Sequence, residues 1–378
     1  MKKPNIQNIL VPVDFSEMSG RAVETAKNLA RRFGSTIHLV HVYEYYYPVG
    51  FMAPGTLVPV SLTSYWEETA QRLDRDLKTL AKRHELKPGN CHLENGTATF
   101  DEICNLARTI PADLIVMPTH AYTGITHFFE GSTAERVVQH SPCPVLVARK
   151  RAKKPRRALF DGNSSDGINT ILVPVDFSQS SFRALEYAIE FADRVTARLI
   201  VFHAMHIGYA FTADGFGVYD LSTLIEAARK DAERQMEKFV RLAKFRGVGF
   251  ETVVKVGAPV TEIGEIAENR DVDLVITATH GRTGFKHFLI GSVAEQTVRY
   301  VPRSVLVVPS HPEERIARLT STSSRKKRAL PRRANKRVPR PVESEKLTKR
   351  SRKLMAHAFP ERRKTNKFRT SHASRPPV

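Results

Sequence analysis

The chain has 378 residues, of which 41% are hydrophobic, enough for two domains of about 150 residues with buried cores. Its formal net charge of +20 comes almost wholly from residues 311–378, which hold 22 Lys and Arg against 5 Glu. The first 310 residues are therefore nearly neutral and do not suggest a fold that reads nucleic acid. No stretch reaches the roughly 18–20 apolar residues of a membrane-spanning helix, and no signal peptide follows Met1, so we expect a cytoplasmic protein without a membrane partner.

An internal repeat organises the first 310 residues. The octapeptide ILVPVDFS occurs at residues 9–16 and again at 171–178, and later matches include Thr119-His120 with Thr279-His280. Identity of this length predicts two copies of one domain. We expect domains at residues 1–150 and 168–310, a polar linker at 151–167, and a disordered basic tail at 311–378, which has too few apolar residues to offset chain entropy.

The first repeat predicts alternating strands and helices. An apolar, β-branched run at 9–13 predicts a buried strand, and Ser16 is a natural N-cap for a helix whose apolar face runs from Ala22 to Phe33. There follow a strand at 36–42, a long amphipathic helix at 62–83, a strand, a helix at 101–109, a strand at 114–117, a helix after Gly131 and a strand at 144–148.

The second repeat predicts the same order. Its strands at 171–175 and 198–204, a further strand after the long helix, and strands at 274–277 and 304–308 alternate with helices after Ser178, at 221–244, at 261–268 and after Gly291. Apolar strands that alternate with helices indicate an α/β fold, in which a doubly wound parallel sheet is covered on both faces. Such sheets bind ligands at the carboxyl ends of their strands, where the strand order reverses.

One motif of the second repeat lies at this end of the predicted sheet. Ala278-Thr-His-Gly281 follows a strand, and after nine further residues Gly291-Ser292 opens a helix. Gly281 can bring its backbone close to a phosphate because it has no Cβ, and the free N–H groups of a helix N-terminus favour an anion. The alternative is that these glycines only make tight turns.

The motif resembles the G-x-x-G, nine residues, G-[S/T] signature of universal stress proteins. The resemblance covers about residues 5–148 and 168–309, and includes the first strand that ends in Asp, the turn THGRTG and the helix start GSVAE. It implies a Rossmann-like fold of the adenine nucleotide alpha hydrolase type that binds ATP or a related adenine nucleotide, with or without Mg²⁺. Carried over to this sequence, the implied contacts are Val175, Asp176 and Ala204 for the nucleoside, Ala278 near the ribose, and Gly281, Gly291, Ser292 and Val293 for the phosphates. His280 and Arg282 of the same turn complete the implied nucleotide site.

Both repeats depart from this signature. The first Gly is Ala278 in the second repeat, whereas the first repeat has Pro118 and Ala121 in place of both glycines. Proline lacks an N–H, and a Cβ at residue 121 would intrude on a phosphate. We therefore expect the second repeat to hold the competent site. The first repeat keeps a weaker set, which consists of Asp14, Val42, Gly131 and Ser132, and Asp14 could instead hydrogen-bond its own loop.

No sequence pattern assigns a catalytic residue or a metal site. P-loop, H-E-x-x-H and G-x-S-x-G motifs are missing, and the three cysteines lack C-x-x-C spacing, which favours reduced, buried thiols. His120 and His280 recur in the signature turn, but no nucleophile or carboxylate is placed beside them by the sequence. We expect no dedicated enzyme activity, although slow ATP hydrolysis is compatible with the motif.

Three functional hypotheses follow. The first is a stress-response protein that binds an adenine nucleotide and acts through its conformation or partners. The family resemblance implies that its two domains pair through their last strands, 145–148 and 305–308, into an intramolecular pseudo-dimer. Association of two chains into a homodimer is a further alternative. The second is a nucleotide-free interaction scaffold. The third assigns the basic tail a salt-sensitive contact with nucleic acid or another polyanion.

Overall fold

The computed structural model of the protein describes residues 6–44, 60–118, 132–149, 168–205, 221–281 and 290–310. The described part of the first repeat contains β1 Asn8–Pro12, α1 Glu17–Phe33, β2 Thr36–Tyr43, α2 Val60–Arg83, β3 Cys91–Asn95, α3 Thr99–Thr109, β4 Leu114–Pro118, α4 Ser132–His140 and β5 Val145–Ala148. The second repeat contains β6 Thr170–Pro174, α5 Gln179–Val195, β7 Arg198–Met205, α6 Leu221–Leu242, β8 Phe250–Val256, α7 Pro259–Asn269, β9 Leu274–Ala278, α8 Ser292–Tyr300 and β10 Ser304–Val308. The predicted linker and tail lie outside the described residues, and the domain bounds stay predictions.

The ten strands form one sheet in the order β3-β2-β1-β4-β5-β10-β9-β6-β7-β8. Neighbouring strands of the same repeat are parallel, which confirms the predicted α/β class. The chain reverses its direction across the sheet between β1 and β4, and again between β6 and β9. The carboxyl ends of these strand pairs are the switch points at which a doubly wound sheet offers a crevice.

The two repeats join through their last strands. β5 and β10 pair antiparallel, with Leu146 opposite Leu306 and Val147 opposite Val305. This pairing is the one expected for an intramolecular pseudo-dimer, and it makes the two five-stranded halves continuous.

A second contact between the repeats involves polar atoms. The Arg149 guanidinium, at the end of the first repeat, donates hydrogen bonds to the carbonyl oxygens of Val298, Arg299 and Val301, at 2.9 Å for Arg299 and 3.0 Å for Val301. Because the last carbonyls of a helix have no partner within the helix, a cation from the other repeat satisfies the carboxyl end of α8.

The core consists of two apolar layers, one on each face of the sheet. One layer packs α1, α2, α5 and α6 over residues such as Ile9, Leu146 and Ile171, and the other packs α3, α4, α7 and α8 over residues such as Leu10 and Leu172. Consecutive strand residues therefore face opposite layers, which explains why the strands are apolar throughout.

The helices that begin at a serine N-cap start where the sequence predicts. The hydroxyls of Ser16 and Ser178 accept hydrogen bonds from Ser19 N and Ser181 N, as expected of N-caps. The start of α7 was predicted two residues late, because Pro259 occupies the first turn of the helix, where its fixed φ fits and its missing N–H costs nothing. None of the described helices combines the length and apolar character needed to cross a membrane.

Candidate functional site

A cavity of about 720 Å³ opens at the carboxyl ends of β6, β7 and β9 in the second repeat. Its walls also include α6, the start of α7 and the start of α8. The predicted ligand contacts that line it are Val175, Asp176, Ala204, Ala278, His280, Gly281, Gly291, Ser292 and Val293. Arg282, the remaining predicted contact, lies outside the described residues. Residues that are up to 118 positions apart in sequence thus share one site beside a switch point of the sheet.

A strained turn positions the carboxylate of Asp176. Phe177 has φ of 63°, in the left-handed region that a bulky side chain rarely adopts. Its ring packs on His203 with centroids 4.3 Å apart, and His203 Nδ1 lies 2.8 Å from the carbonyl oxygen of Val175. Ser178 N donates to Asp176 Oδ1 at 3.1 Å. These contacts hold the turn in a conformation that projects Asp176 into the cavity.

Close backbone approach explains both glycines of the signature. A Cβ on Gly281 would lie 2.5 Å from Asp176 Oδ2, and a Cβ on Gly291 would lie 3.3 Å from the carbonyl oxygen of Thr279. Gly291 has an ordinary extended conformation, with φ of −77° and ψ of 148°, so space rather than backbone freedom requires glycine there. The group nearest to Gly281 is thus the Asp176 carboxylate, which sequence reasoning did not connect with it.

Hydrogen bonds anchor the loop that carries Gly281. Thr279 N donates to the carbonyl oxygen of Val308 at 3.0 Å, and Gly291 N donates to the carbonyl oxygen of Thr279 at 2.6 Å. The buried Thr279 hydroxyl lies 2.9 Å from Ser310 Oγ and 3.0 Å from His280 Nδ1. His280 lines the cavity, and its Nδ1 also takes part in this support of the loop.

The start of α8 is suited to an anion. Gly291 is its N-cap, and within the described part of the chain no side chain caps this end of the helix. Ser292 begins the helix, and Val293 is 38% exposed. Backbone N–H groups that lack intrahelical partners, together with the helix dipole, favour a phosphate at such a position.

The wall formed by α6 was not predicted as part of the site. Its cavity residues recur at helical spacing and are Leu224, Ile225, Ala228, Asp231, Ala232 and Gln235. They provide mostly apolar surface, with one polar pair in which Gln235 Nε2 donates to Asp231 Oδ2 at 2.7 Å. The available signal was the amphipathic pattern of α6, but periodicity alone does not distinguish a core face from a cavity face.

The first repeat has the same turn, but its carboxylate, Asp14, accepts a hydrogen bond from a side chain that makes a different contact in the second repeat. Phe15 also has φ of 63°, and Ser16 N donates to Asp14 Oδ1 at 3.0 Å. In addition, the buried Ser19 hydroxyl donates to Asp14 Oδ1, whereas its counterpart Ser181 donates to a backbone carbonyl. Asp14 therefore does hydrogen-bond its own loop, as the alternative interpretation predicted.

Other predicted residues of the first repeat are only partly described. Val42 packs against the core, and Ser132 begins α4, whereas Ala121 and Gly131 lie outside the described residues. The expectation that this repeat binds nucleotide weakly or not at all stays a prediction.

The α2 helix adds a difference that sequence reasoning missed. The buried residues of α2 and α6 match at an offset of 159 positions, as Leu77 does with Met236. At this offset the half-buried Trp66 occupies the position of Ile225, which lines the cavity of the second repeat. The side chain at this position of the first repeat is thus bulkier than its counterpart in the second repeat.

Comparison with known proteins agrees with this architecture. A model described as the universal stress protein family matches residues 5–149 and 167–309. Universal stress protein MJ0531 of Methanocaldococcus jannaschii is 33% identical over 148 residues, which are 39% of this chain and 85% of that protein. The crystal structure of a functionally unknown protein, PA1789 from Pseudomonas aeruginosa PAO1, has a TM-score of 0.50 and 19% identity over 85% of this chain and 99% of its own, and this shows the fold alone.

A further similar structure is the crystal structure of a universal stress protein in complex with cAMP. It is 27% identical, covers 38% of this chain and 98% of its own, and has a TM-score of 0.26. Because the family model matches most of the chain in two separate copies, the protein belongs to the universal stress protein family as a tandem member.

Proposed function

We propose that the protein binds ATP or a related adenine nucleotide in its second repeat, and that it acts in the cytoplasmic stress response through nucleotide-dependent conformation or partner binding. The observation that carries this proposal is the cavity in which Asp176, the Gly281 loop and the start of α8 meet at a switch point of the sheet. Its volume of about 720 Å³ is in the range of small-molecule and cofactor sites.

The cavity offers different chemistry to the two ends of a nucleotide. Asp176 and the apolar surface of α6 suit a nucleoside, which has hydrogen-bond donors and a flat base whose faces pack against apolar side chains. The uncapped start of α8 and the Ser292 hydroxyl suit the phosphates. A Mg²⁺ ion, where it takes part, would be bound chiefly through the phosphates, as is usual for this ion.

The proposal assigns a binding role and no dedicated catalytic activity. His280, the most obvious candidate for a base, has its Nδ1 3.0 Å from the Thr279 hydroxyl and 3.4 Å from Ser310 Oγ. These contacts support a role in shaping the loop. Slow hydrolysis of bound ATP is compatible with this binding role.

The first experiment measures what the purified full-length protein carries. The protein is denatured, and the supernatant is separated by chromatography to identify and count adenine nucleotides. We expect about one nucleotide per chain. Two per chain would show that Pro118 and Ala121 do not impair the first repeat, and none, with no binding of added ATP, ADP, AMP or cAMP, would favour the nucleotide-free scaffold.

A pair of variants locates the site. Gly291→Val adds a branched side chain against the carbonyl oxygen of Thr279, and should remove nucleotide binding. Gly264→Ala on α7 meets no atom within 4 Å and is the matched control. If Gly291→Val remains folded by circular dichroism and binds as the parent does, the proposed loop is not the binding site.

The charge of the tail supports a second function, contact with a polyanion. Residues 311–378 carry 22 Lys and Arg against 5 Glu. Truncation should leave Ser310 in place, because Ser310 N donates to Thr279 Oγ1 at 3.1 Å and supports the nucleotide loop. Unchanged retention of the truncated protein on heparin at low salt would refute this function.

A further inference from the structure

Two histidines meet across neighbouring strands of the first repeat. His38 on β2 and His92 on β3 are 54 positions apart in sequence, yet His38 Nδ1 lies 3.1 Å from His92 Nε2. Their rings stack with centroids 5.4 Å apart, and both side chains are half-buried. β3 is an edge strand of the sheet, so the pair is within reach of solvent.

The second repeat has apolar side chains at the matching positions. Ile200 lies 162 positions after His38, which is the offset between the two repeats at these strands. His92 pairs with Val40 on β2, and Val253 pairs with Phe202, the equivalent of Val40, on β7. Ile200 is fully buried, and Val253 packs against the core. The first repeat thus has a hydrogen-bonded polar pair where the second repeat has two apolar side chains.

The two ring nitrogens that face each other, His38 Nδ1 and His92 Nε2, are the kind of atom through which an imidazole binds a metal ion. A neutral imidazole has a ring nitrogen that can bind a metal ion, and nitrogen ligands suit Zn²⁺, Cu²⁺ and Ni²⁺.

We propose that His38 Nδ1 and His92 Nε2 together bind one first-row transition-metal ion, with Zn²⁺ as the test case. An ion about 2.0–2.1 Å from both nitrogens, at their 3.1 Å separation, would make an N–metal–N angle of about 100°. This angle lies between the values of cis ligands in square-planar and tetrahedral complexes. In the pair without metal, one of these two nitrogens carries the proton of their hydrogen bond; on metal binding that proton moves to the other nitrogen of the same ring, and small rotations of the two rings would then direct both lone pairs at the ion.

The site would be open. Within the described ranges, no group of three or more His, Cys, Asp and Glu is placed to hold a metal ion, so water would complete the coordination. Such a site binds more weakly than a closed four-ligand site and exchanges its ion with solution. A bound ion would link the edge strand β3 to β2, and would stabilise the first repeat by mass action.

The test compares the full-length protein with a double variant that copies the second repeat. His38→Ile and His92→Val introduce the residues found at the matching positions, Ile200 and Val253, and should therefore be accepted by the fold. ZnCl₂ is titrated calorimetrically at pH 7.5 into nucleotide-free protein, and melting temperatures are recorded with and without Zn²⁺. The chain has 14 His, so the informative quantity is the difference between variants rather than total binding.

We expect the double variant to lose one equivalent of Zn²⁺ and the Zn²⁺-induced rise in melting temperature. His140→Gln is the matched control and should lose neither; its ring lies on α4, with Nδ1 2.8 Å from the carbonyl oxygen of Arg136. If the double variant keeps the parent's stoichiometry and melting response, the site does not exist. If the double variant does not fold, His38→Gln and His92→Gln are tested separately, and retention of the Zn²⁺ equivalent by both refutes the proposal.

Discussion

Gly281→Ala is the substitution that most directly probes the geometry of the proposed nucleotide site. The new Cβ would lie 2.5 Å from Asp176 Oδ2 and 3.4 Å from Asp176 Cγ. The carboxylate has to move, but its other oxygen, Oδ1, accepts a hydrogen bond from Ser178 N at 3.1 Å. A rotation that relieves the contact at Oδ2 therefore weakens the contact at Oδ1.

The size of the effect follows from what Asp176 loses. A carboxylate held off its preferred rotamer costs about 0.5–1.5 kcal/mol, and loss of a hydrogen bond to a charged group costs about 1.5–3 kcal/mol. If Asp176 contacts the nucleoside, a total of about 2–4.5 kcal/mol corresponds to a Kd for ATP that is higher by roughly 30-fold to more than 1000-fold. The same residue type, Ala121, stands at this position in the first repeat.

The assay is calorimetric titration of ATP into the parent, Gly281→Ala and the control Gly264→Ala, which makes the same chemical change where no atom lies within 4 Å. Asp176→Ala and the double variant complete a thermodynamic cycle. Because the Cβ acts through Asp176, the double variant should bind no more weakly than Asp176→Ala alone. Parent-like affinity of a folded Gly281→Ala protein, or full additivity in the cycle, would refute the reasoning.

Three further predictions concern other parts of the molecule. Arg149→Ala should lower the free energy of unfolding by about 2 kcal/mol, because the carboxyl end of α8 loses its cation; an unchanged melting temperature would contradict this clamp between the repeats. Thr279→Val should weaken ATP binding, measured by titration, because the hydroxyl that joins the loop to Ser310 is lost; equal affinity would show that the loop does not need this support. Burial raises the pKa of Cys143 to about 12, so in the native protein at pH 8 iodoacetamide should label the partly exposed Cys91 before Cys143, and peptide mapping that finds the reverse order would contradict the buried placement.

Much of the fold could be predicted because its signals are local. The repeated octapeptide, the apolar strands and the N-caps Ser16 and Ser178 each act through neighbours in the chain or through a periodic pattern. Among the described α-helices and strands, errors lay at element ends, such as the start of α7, where Pro259 extends the helix by two residues, and the short 3₁₀ helix Pro88–Asn90 was not predicted. The last-strand pairing of the two repeats was expected from the family resemblance rather than from the residues themselves.

The candidate site was predictable in part for the same reason. The loop from Ala278 to Gly281 and the helix start at Gly291 are short motifs, and the sequence places both after strands. The part that α6 plays as another wall of the same cavity was missed, because a helical stripe such as Leu224 to Gln235 has the same periodicity whether it faces a packed core or an open cavity.

By itself, then, the sequence determined a tandem α/β protein with a nucleotide-type motif that is more complete in its second copy. Only the tertiary structure decided which distant residues touch: Gly281 against Asp176, Arg149 of one repeat against α8 of the other, and His38 beside His92. Propensity and capping depend on a few adjacent residues, whereas these contacts depend on strand register and on packing between elements that are far apart in the chain. Neither the strand register nor this packing can be read directly from a sequence pattern.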